Sequence, residues 1–236
     1  MTFKIMFDSF TIQVDQVSKS YAEAGREHCI FRELSVSIPQ GELLVLLGRS
    51  GSGKSTLLNL ISGIDSPNEG NIRVGNLNLA DLSEKSRTLY RRKHIGFVFQ
   101  AFNLIPTLSV YENLSLPLEL NRLPRKTHAM TIESLLAEVG LENRANEFPD
   151  RLSGGEQQRV AVARALVHDP EIILADEPTG NLDLETGRTV LELLDRCVRK
   201  AGKTLIMATH SQEVIGKADR VLSLADYGLS GSLSSI

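Results

Sequence analysis

A chain of 236 residues with 42% apolar and 23% charged residues can bury one large core, and its make-up is that of an ordinary globular protein. A formal net charge of −3 removes the electrostatic case for a nucleic-acid partner. No apolar run approaches the ~20 residues needed to span a bilayer. The cysteines, Cys29 and Cys197, stand in no CxxC pair and near no histidine cluster, which points to buried thiols in a reducing compartment. Met1–Phe10 carries one lysine, an early aspartate and no adequate apolar region. It does not read as a secretory signal, so a cytoplasmic chain that meets a membrane only through a partner is expected.

The opening third is rich in strand-like residues, at Thr11–Val17 and at Leu34–Ile38, where Leu, Val and Ile alternate with Ser. Leu43–Leu47 is continuously apolar, as a buried central strand requires. It runs directly into GRSGSGKST at Gly48–Thr56, and Lys54–Ile61 follows as a helix closing near Gly63. Ser66–Gly70 is a turn and Asn71–Val74 a short strand. Ile95–Phe99 is a further strand ending at Gln100. Residues 101–166 are mainly helical, punctuated by Pro106, Pro117, Pro124 and Pro149, and read as an inserted helical lobe. Ile172–Ala175 returns to a buried strand, and Leu184–Val198 has a helical apolar face at Leu184, Leu191, Leu194 and Val198. Thr204–Thr209 is a strand ending at His210, and Val221–Leu224 is the last one expected. The Ser/Gly-rich tail 228–236 is expected to fray. Strands alternating with helices predict an α/β fold with a mostly parallel core sheet, as one domain over 1–236.

Gly48–Ser55 fits G-x-x-x-x-G-K-[ST] with a strand before it and a helix after it. Gly48, Ser50, Gly51, Ser52 and Gly53 would turn backbone N–H groups inward around phosphate oxygens, and the helix adds its positive end. Lys54 would contact the β- and γ-phosphates, Ser55 would ligate Mg²⁺, and Thr56 would meet the α-phosphate. IILADE at Ile172–Glu177 supplies the complement, because ligands of open α/β sheets gather at the carboxyl ends of strands. Asp176 would hold the Mg²⁺ hydration shell, and Glu177 would take the proton of the attacking water.

With phosphate loop, Gln100, LSGGEQ at Leu152–Gln157, Asp176–Glu177 and His210 in this order, the chain resembles the ATP-binding cassette ATPases from about Ile12 to Leu224. The resemblance implies a P-loop core with an N-terminal antiparallel β subdomain and an inserted helical subdomain. It implies ATP and Mg²⁺ as ligands and a homodimer that closes on ATP. Ser153 can cap a helix whose free N–H groups offer a second anion site. By resemblance Ser153, Gly154, Gly155 and Gln157 serve the ATP held by the opposing subunit. Tyr21 takes the place of the aromatic that stacks on adenine, Gln100 that of the glutamine at Mg²⁺ and the attacking water, and His210 that of the γ-phosphate contact. Asn181 and Asp183 match the loop that crosses the dimer.

The stretch Ile95–Leu118 and GNLDLETG at Gly180–Gly187 are similar to the branch of lipoprotein-releasing and macrolide-exporter cassettes, and cell-division cassettes look alike here. That branch works through a separate membrane subunit, docked on the region after Gln100. Phe97, Phe99, Phe102, Leu104 and Leu108 read either as a groove for a coupling helix or as lobe core. A soluble cassette acting on DNA or ribosomes is the competing reading. Thr56–Leu152 carries no long coiled coil, and the chain holds one cassette, which weigh against it.

Overall fold

The computed structural model describes residues 12–23, 26–225 and 228–234. They fall into two compact units, one drawn from Met1–Arg91 and Thr204–Ile236, the other being Arg92–Lys203.

The first unit holds an antiparallel sheet and a set of parallel strands. In the antiparallel sheet, β1 (Ile12–Glu23) pairs with β2 (Arg26–Ile38) and β4 (Glu69–Val74), and β5 (Leu77–Asn78) lies outside β4. Alternation decides its buried side: Ile12, Val14, Leu34, Val36, Ile38, Ile72 and Val74 are buried. Among the parallel strands, β3 (Leu43–Leu47) runs between β8 (Thr204–Ala208) and β9 (Arg220–Ala225). Leu43 to Leu46 and Leu205 to Ala208 are all buried, as strands covered on both faces must be. Arg220 pairs with Glu42 at 2.9 Å and donates to Ser37 O at 2.6 Å, while Asp219 Oδ2 accepts from Leu43 N at 2.7 Å. These contacts set where β3 begins. The chain then turns into α1 (Lys54–Ile61), and α2 (Glu84–His94) is held by Tyr90 Oη donating to Ile61 O at 3.1 Å.

The tail departs from expectation. Gly228–Ser234 forms β10, antiparallel to β9, instead of fraying; residues 235 and 236 lie outside the described residues, as does Thr11 at the start of the expected first strand. The reason is backbone accounting: an outer strand offers a row of N–H and C=O groups, and a following segment of any composition can pair with it.

The second unit holds the parallel pair β6 (Ile95–Phe99) and β7 (Ile172–Asp176) with α3 (Val110–Leu120), α4 (Arg125–Glu138), α5 (Gly154–Leu166) and α6 (Leu184–Lys200). Within it α5 packs directly on β6. A Cβ at Gly96 would overlap Ala165 O, so only glycine admits that approach. The apolar face of α6 also differs from expectation. Leu191, Leu194 and Val198 are buried, but Leu184 is 95% exposed, because it sits in the first turn, beyond the packed stretch.

Two groups illustrate what holds this unit. Asn113, fully buried, accepts from Ile105 N and donates to the carbonyls of Ile105, Leu108 and Ser109 at 2.9–3.1 Å. It closes the loop before α3, whose Ser109–Glu112 capping box fixes the helix start. Replacing Asn113 by Leu strands those buried polar groups, and should cost roughly 2–3 kcal/mol, read as a lower urea midpoint at unchanged m. Burial pushes the Cys197 thiol up to about 11, so almost no thiolate exists at pH 8. A thiol reagent at that pH should label half-buried Cys29 in the folded chain and Cys197 only after denaturant is added.

Candidate functional site

The first unit builds a phosphate cradle. The loop leaves β3 and enters α1 through Gly53, whose φ of 95° is left-handed and whose missing Cβ admits Phe31 and Ile30. A Cβ at Gly48 would overlap Ser52 Oγ and stand 2.8 Å from Leu224 O, so this glycine is required by close packing. Unlike α3, α5 and α6, α1 has no side-chain cap. The N–H groups of its first turn are left for a ligand. Ser52 Oγ is buried and makes no hydrogen bond among the described residues. Both features suit an anion. Lys54, buried, donates to Gly48 O at 2.8 Å and lies 3.5 Å from His210 Nε2. His210 reaches this place because β8 runs parallel to β3, with Leu46 beside Ala208.

Tyr21, on β1, is 39% exposed. Its hydroxyl donates to Asp65 Oδ2 at 2.6 Å. Burial and Asp65 raise its pKa. Lys19 Nζ sits 4.7 Å from the ring centroid and pairs with Asp65 at 2.8 Å. Burial works against the Asp65 carboxylate, but the bonds from Lys19, Tyr21 and Ser66 N–H outweigh it and hold the group below its usual range. Lys19 and Asp65 escaped the sequence reading. Neither lies in a motif, although Asp65 opens the turn that follows Ile64.

The second unit gathers the remaining residues. Phe99 pairs with Asp176 in the parallel ladder, so Gln100 and Glu177 leave adjacent strand ends. Glu177 has φ 45°, an uncommon conformation for a non-glycine residue and the kind found at functional sites. Gly180 N donates to Glu177 O at 3.0 Å and closes the turn. Gln158, fully buried, donates to Phe99 O at 3.2 Å and to Pro178 O at 2.5 Å, and so ties the two strand ends together. Gln157, expected to serve the ATP of the opposing subunit, donates its amide N–H to Leu152 O just ahead of its own helix.

Ser153 caps α5 in a capping box with Glu156: Ser153 N donates to Glu156 Oε2 at 2.9 Å, and Glu156 N to Ser153 Oγ at 3.3 Å. The backbone bond from Ser153 lowers the Glu156 pKa. Gly154 lies against Leu182, and a Cβ at Gly155 would overlap Thr186 Cγ2. Asp183 caps α6 by accepting from Thr186 N at 3.0 Å. Asn181 bonds to Gln100. The segment after Gln100 is held by Arg164, which donates to Phe102 O at 3.0 Å and Asn103 O at 2.6 Å. Both carbonyls belong to residues of positive φ. Phe97 and Phe99 stack at 5.0 Å, and Phe102, Leu104 and Leu108 are half-buried, a surface between groove and core.

The family model for ABC transporters matches residues 31–180. The chain belongs to the ABC transporter family. An ABC transporter ATP-binding protein of Mycobacterium tuberculosis (strain ATCC 25618 / H37Rv), Rv0986, is 50% identical over 90% of this chain and 86% of its own. The lipoprotein-releasing system ATP-binding protein LolD of Syntrophus aciditrophicus (strain SB) is 43% identical over 91% of this chain and 96% of its own. The ATP-binding cassette MJ0796, seen as a dimer in a post-hydrolysis state with ADP and Pi, superposes with a TM-score of 0.86 at 38% identity, covering 94% of this chain and 98% of that one. The present chain is therefore an ABC-type ATPase with the cassette fold: a mixed α/β structure with parallel strands and an antiparallel sheet. None of these relatives' names speaks of DNA or ribosomes, and that reading gains no support.

In this cassette the contact between Gly155 and Thr186 joins α5 to α6, the helix that follows the 177–183 turn. Gly155→Ala should cost about 1–3 kcal/mol by overpacking. Thr186→Ser removes the obstructing methyl. The two changes together should be more stable in urea unfolding than the sum of the single changes, by about 1 kcal/mol or more. Additive behaviour would show that the two residues do not press on each other.

Proposed function

We propose that the chain is the ATP-hydrolysing subunit of a transporter whose membrane-spanning part is a separate protein. The phosphate cradle carries this reading: an uncapped helix start, a buried hydroxyl without a partner at Ser52, and a buried lysine at the same loop. Backbone N–H groups of Gly48–Gly53 meet the phosphates, and Lys54 and His210 meet the γ-phosphate end. Tyr21, steadied by Lys19 and Asp65, stacks on the base.

The oxygen donors Ser55, Gln100 and Asp176 fit Mg²⁺, a hard cation that takes oxygen ligands and keeps several waters. When bound, Mg²⁺ supplies charge neutralisation at the β- and γ-phosphate oxygens. Among the described residues no group of three His, Cys, Asp or Glu side chains forms a metal site of its own, which suits an ion that arrives with its nucleotide. Glu177 takes a proton from water as the water oxygen bonds the γ-phosphorus. The bond from that phosphorus to the bridging oxygen breaks, leaving ADP and phosphate.

Two copies sandwich two ATPs, with Ser153, Gly154, Gly155 and Gln157 of each copy meeting the γ-phosphate of the other, and Asn181 and Asp183 at the crossing. The dipole of α5 supports this, since its positive end favours an anion. No described helix is long and apolar enough to cross a membrane. The chain acts at the cytoplasmic face of the inner membrane through a permease docked on the segment after Gln100. Export, lipoprotein release or periplasmic motion is the work it drives. The domain acts as one cassette over 1–236, and its lobe at about 101–166 carries the docking segment.

Glu177→Gln should lower steady-state hydrolysis by about 10²–10⁴-fold while leaving ATP binding intact, and should convert monomer to dimer on size exclusion with ATP. Lys54→Ala should lose nucleotide binding itself. Wild-type turnover by Glu177→Gln would sink the assignment of the base.

A further inference from the structure

Gln100 and Asn181 form a reciprocal pair within the second unit. Gln100 Nε2 donates to Asn181 Oδ1 at 3.1 Å, and Asn181 Nδ2 donates to the main-chain O of Gln100 at 3.0 Å. The pair determines its own orientation. A main-chain carbonyl only accepts, so the Asn181 atom facing it has to be Nδ2. Asn181 Oδ1 is then the atom facing the Gln100 side chain. It too only accepts, so it meets Nε2. The Gln100 amide is therefore not free to flip, and the pair leaves Oε1 and the second N–H of Nε2 unused.

Gly180 completes the bracket. A Cβ there would stand 2.6 Å from Gln100 Nε2, 2.8 Å from Cδ and 3.1 Å from Cγ. Its φ is not left-handed, so glycine is needed here for room alone. The bracket is in turn tied to the Glu177 turn through Gly180 N donating to Glu177 O at 3.0 Å.

We propose that Asn181 and Gly180 are positioning residues that lock the Gln100 amide against flipping and so fix the place of Oε1, making Gln100 an oxygen ligand for the nucleotide-bound cation. This rests on the reading of Gln100 given above. A free glutamine amide offers its oxygen or its NH₂ almost indifferently, and only the oxygen ligates a hard cation. Partners that orient a ligand in this way are worth about 10–100-fold in metal affinity. Both residues are exposed, so the pair contributes little to folding and its loss is tolerated. At Gly180 the atoms that an added methyl meets are the far end of the flexible Gln100 side chain, so the substitution displaces Gln100 and leaves the fold alone.

The test is Mn²⁺ binding to the full chain loaded with a non-hydrolysable ATP analogue, followed by electron paramagnetic resonance of free Mn²⁺. Nucleotide affinity in EDTA and the urea midpoint are measured alongside. Asn181→Ala and Gly180→Ala should each weaken Mn²⁺ binding about 10-fold, with nucleotide affinity in EDTA and the midpoint unchanged. In a Gln100→Ala background, Asn181→Ala should have no further effect, because Asn181 acts through Gln100. If Gln100→Ala weakens Mn²⁺ binding but Asn181→Ala and Gly180→Ala do not, the bracket is overturned while the reading of Gln100 stands. An equal loss from Asn181→Ala with and without Gln100 also overturns the bracket. If Gln100→Ala itself changes nothing, the reading of Gln100 falls and the bracket with it.

Discussion

An anion can be held by main-chain N–H groups only where those groups are not already spent, and the start of α1 leaves them unspent. At α3, α5 and α6 a side-chain oxygen, from Ser109, Ser153 and Asp183, takes one first-turn N–H. The start of α1 is closed by none; Gly53 stands there in a left-handed conformation that a residue with a Cβ would adopt only under strain. An uncapped helix gives up about 1 kcal/mol that a cap would return. That deficit is the condition for a strong site: the first-turn dipoles stay available, and a phosphate met there gains what the cap would have taken. The continuous apolar strand β3 makes the deficit tolerable, because its burial between β8 and β9 fixes the loop's point of departure whatever the helix start contributes.

The second unit solves a different problem with a different device. Several loops there must hold strand ends and helix starts in register without placing a charge in a low-dielectric interior. Neutral amides do this. Asn113 gathers four backbone groups around the entry to α3, and Gln158 gathers the carbonyls of Phe99 and Pro178. A buried amide costs far less to desolvate than a carboxylate or ammonium, yet removing it exposes every partner it served. Where a charge is used, at Arg164, the guanidinium meets carbonyls of two residues in positive φ and so holds a backbone that its own preferences would release. Burial lowers the pKa of Arg164, but a guanidinium stays charged across the whole physiological range.

What was legible in the sequence divides along the line between local pattern and tertiary partnership. β3, α1, β6 and β7 were readable because a continuous apolar run or a glycine-lysine loop is a short-range signal, and the fold class followed from their alternation. Ser153 as a cap was readable for the same reason. Leu184 was misread because periodicity reports a face and not how far the neighbouring element extends. Gly228–Ser234 was misread because edge pairing depends on what the edge strand offers, not on the composition of the segment that answers it. Lys19, Asp65 and Gln158 carry no motif at all; their roles exist only once β1 lies beside the turn at 64–68 and α5 beside the ends of β6 and β7. Gln157 and Gln158 differ only by which side of α5 faces the strands, a 100° rotation that no spacing argument settles.

The strained turn at Glu177 links these observations to chemistry. A left-handed glutamate costs on the order of 1 kcal/mol or more, and it persists only where its surroundings over-determine it. Here they do: Asp176 is fixed in the ladder with Phe99, Pro178 O is fixed by Gln158, and Gly180 N closes onto Glu177 O. A side chain that must point in one direction gains from a backbone that cannot relax, because the cost of ordering it has been met by the fold beforehand. The same turn then continues into Asn181, Asp183 and the start of α6, where Thr186 presses on Gly155 of the signature helix. The start of α5 is therefore in close contact, through Thr186, with the helix that follows this turn. Close packing without voids passes a displacement on, so the turn gives the start of α5 a short path to Glu177.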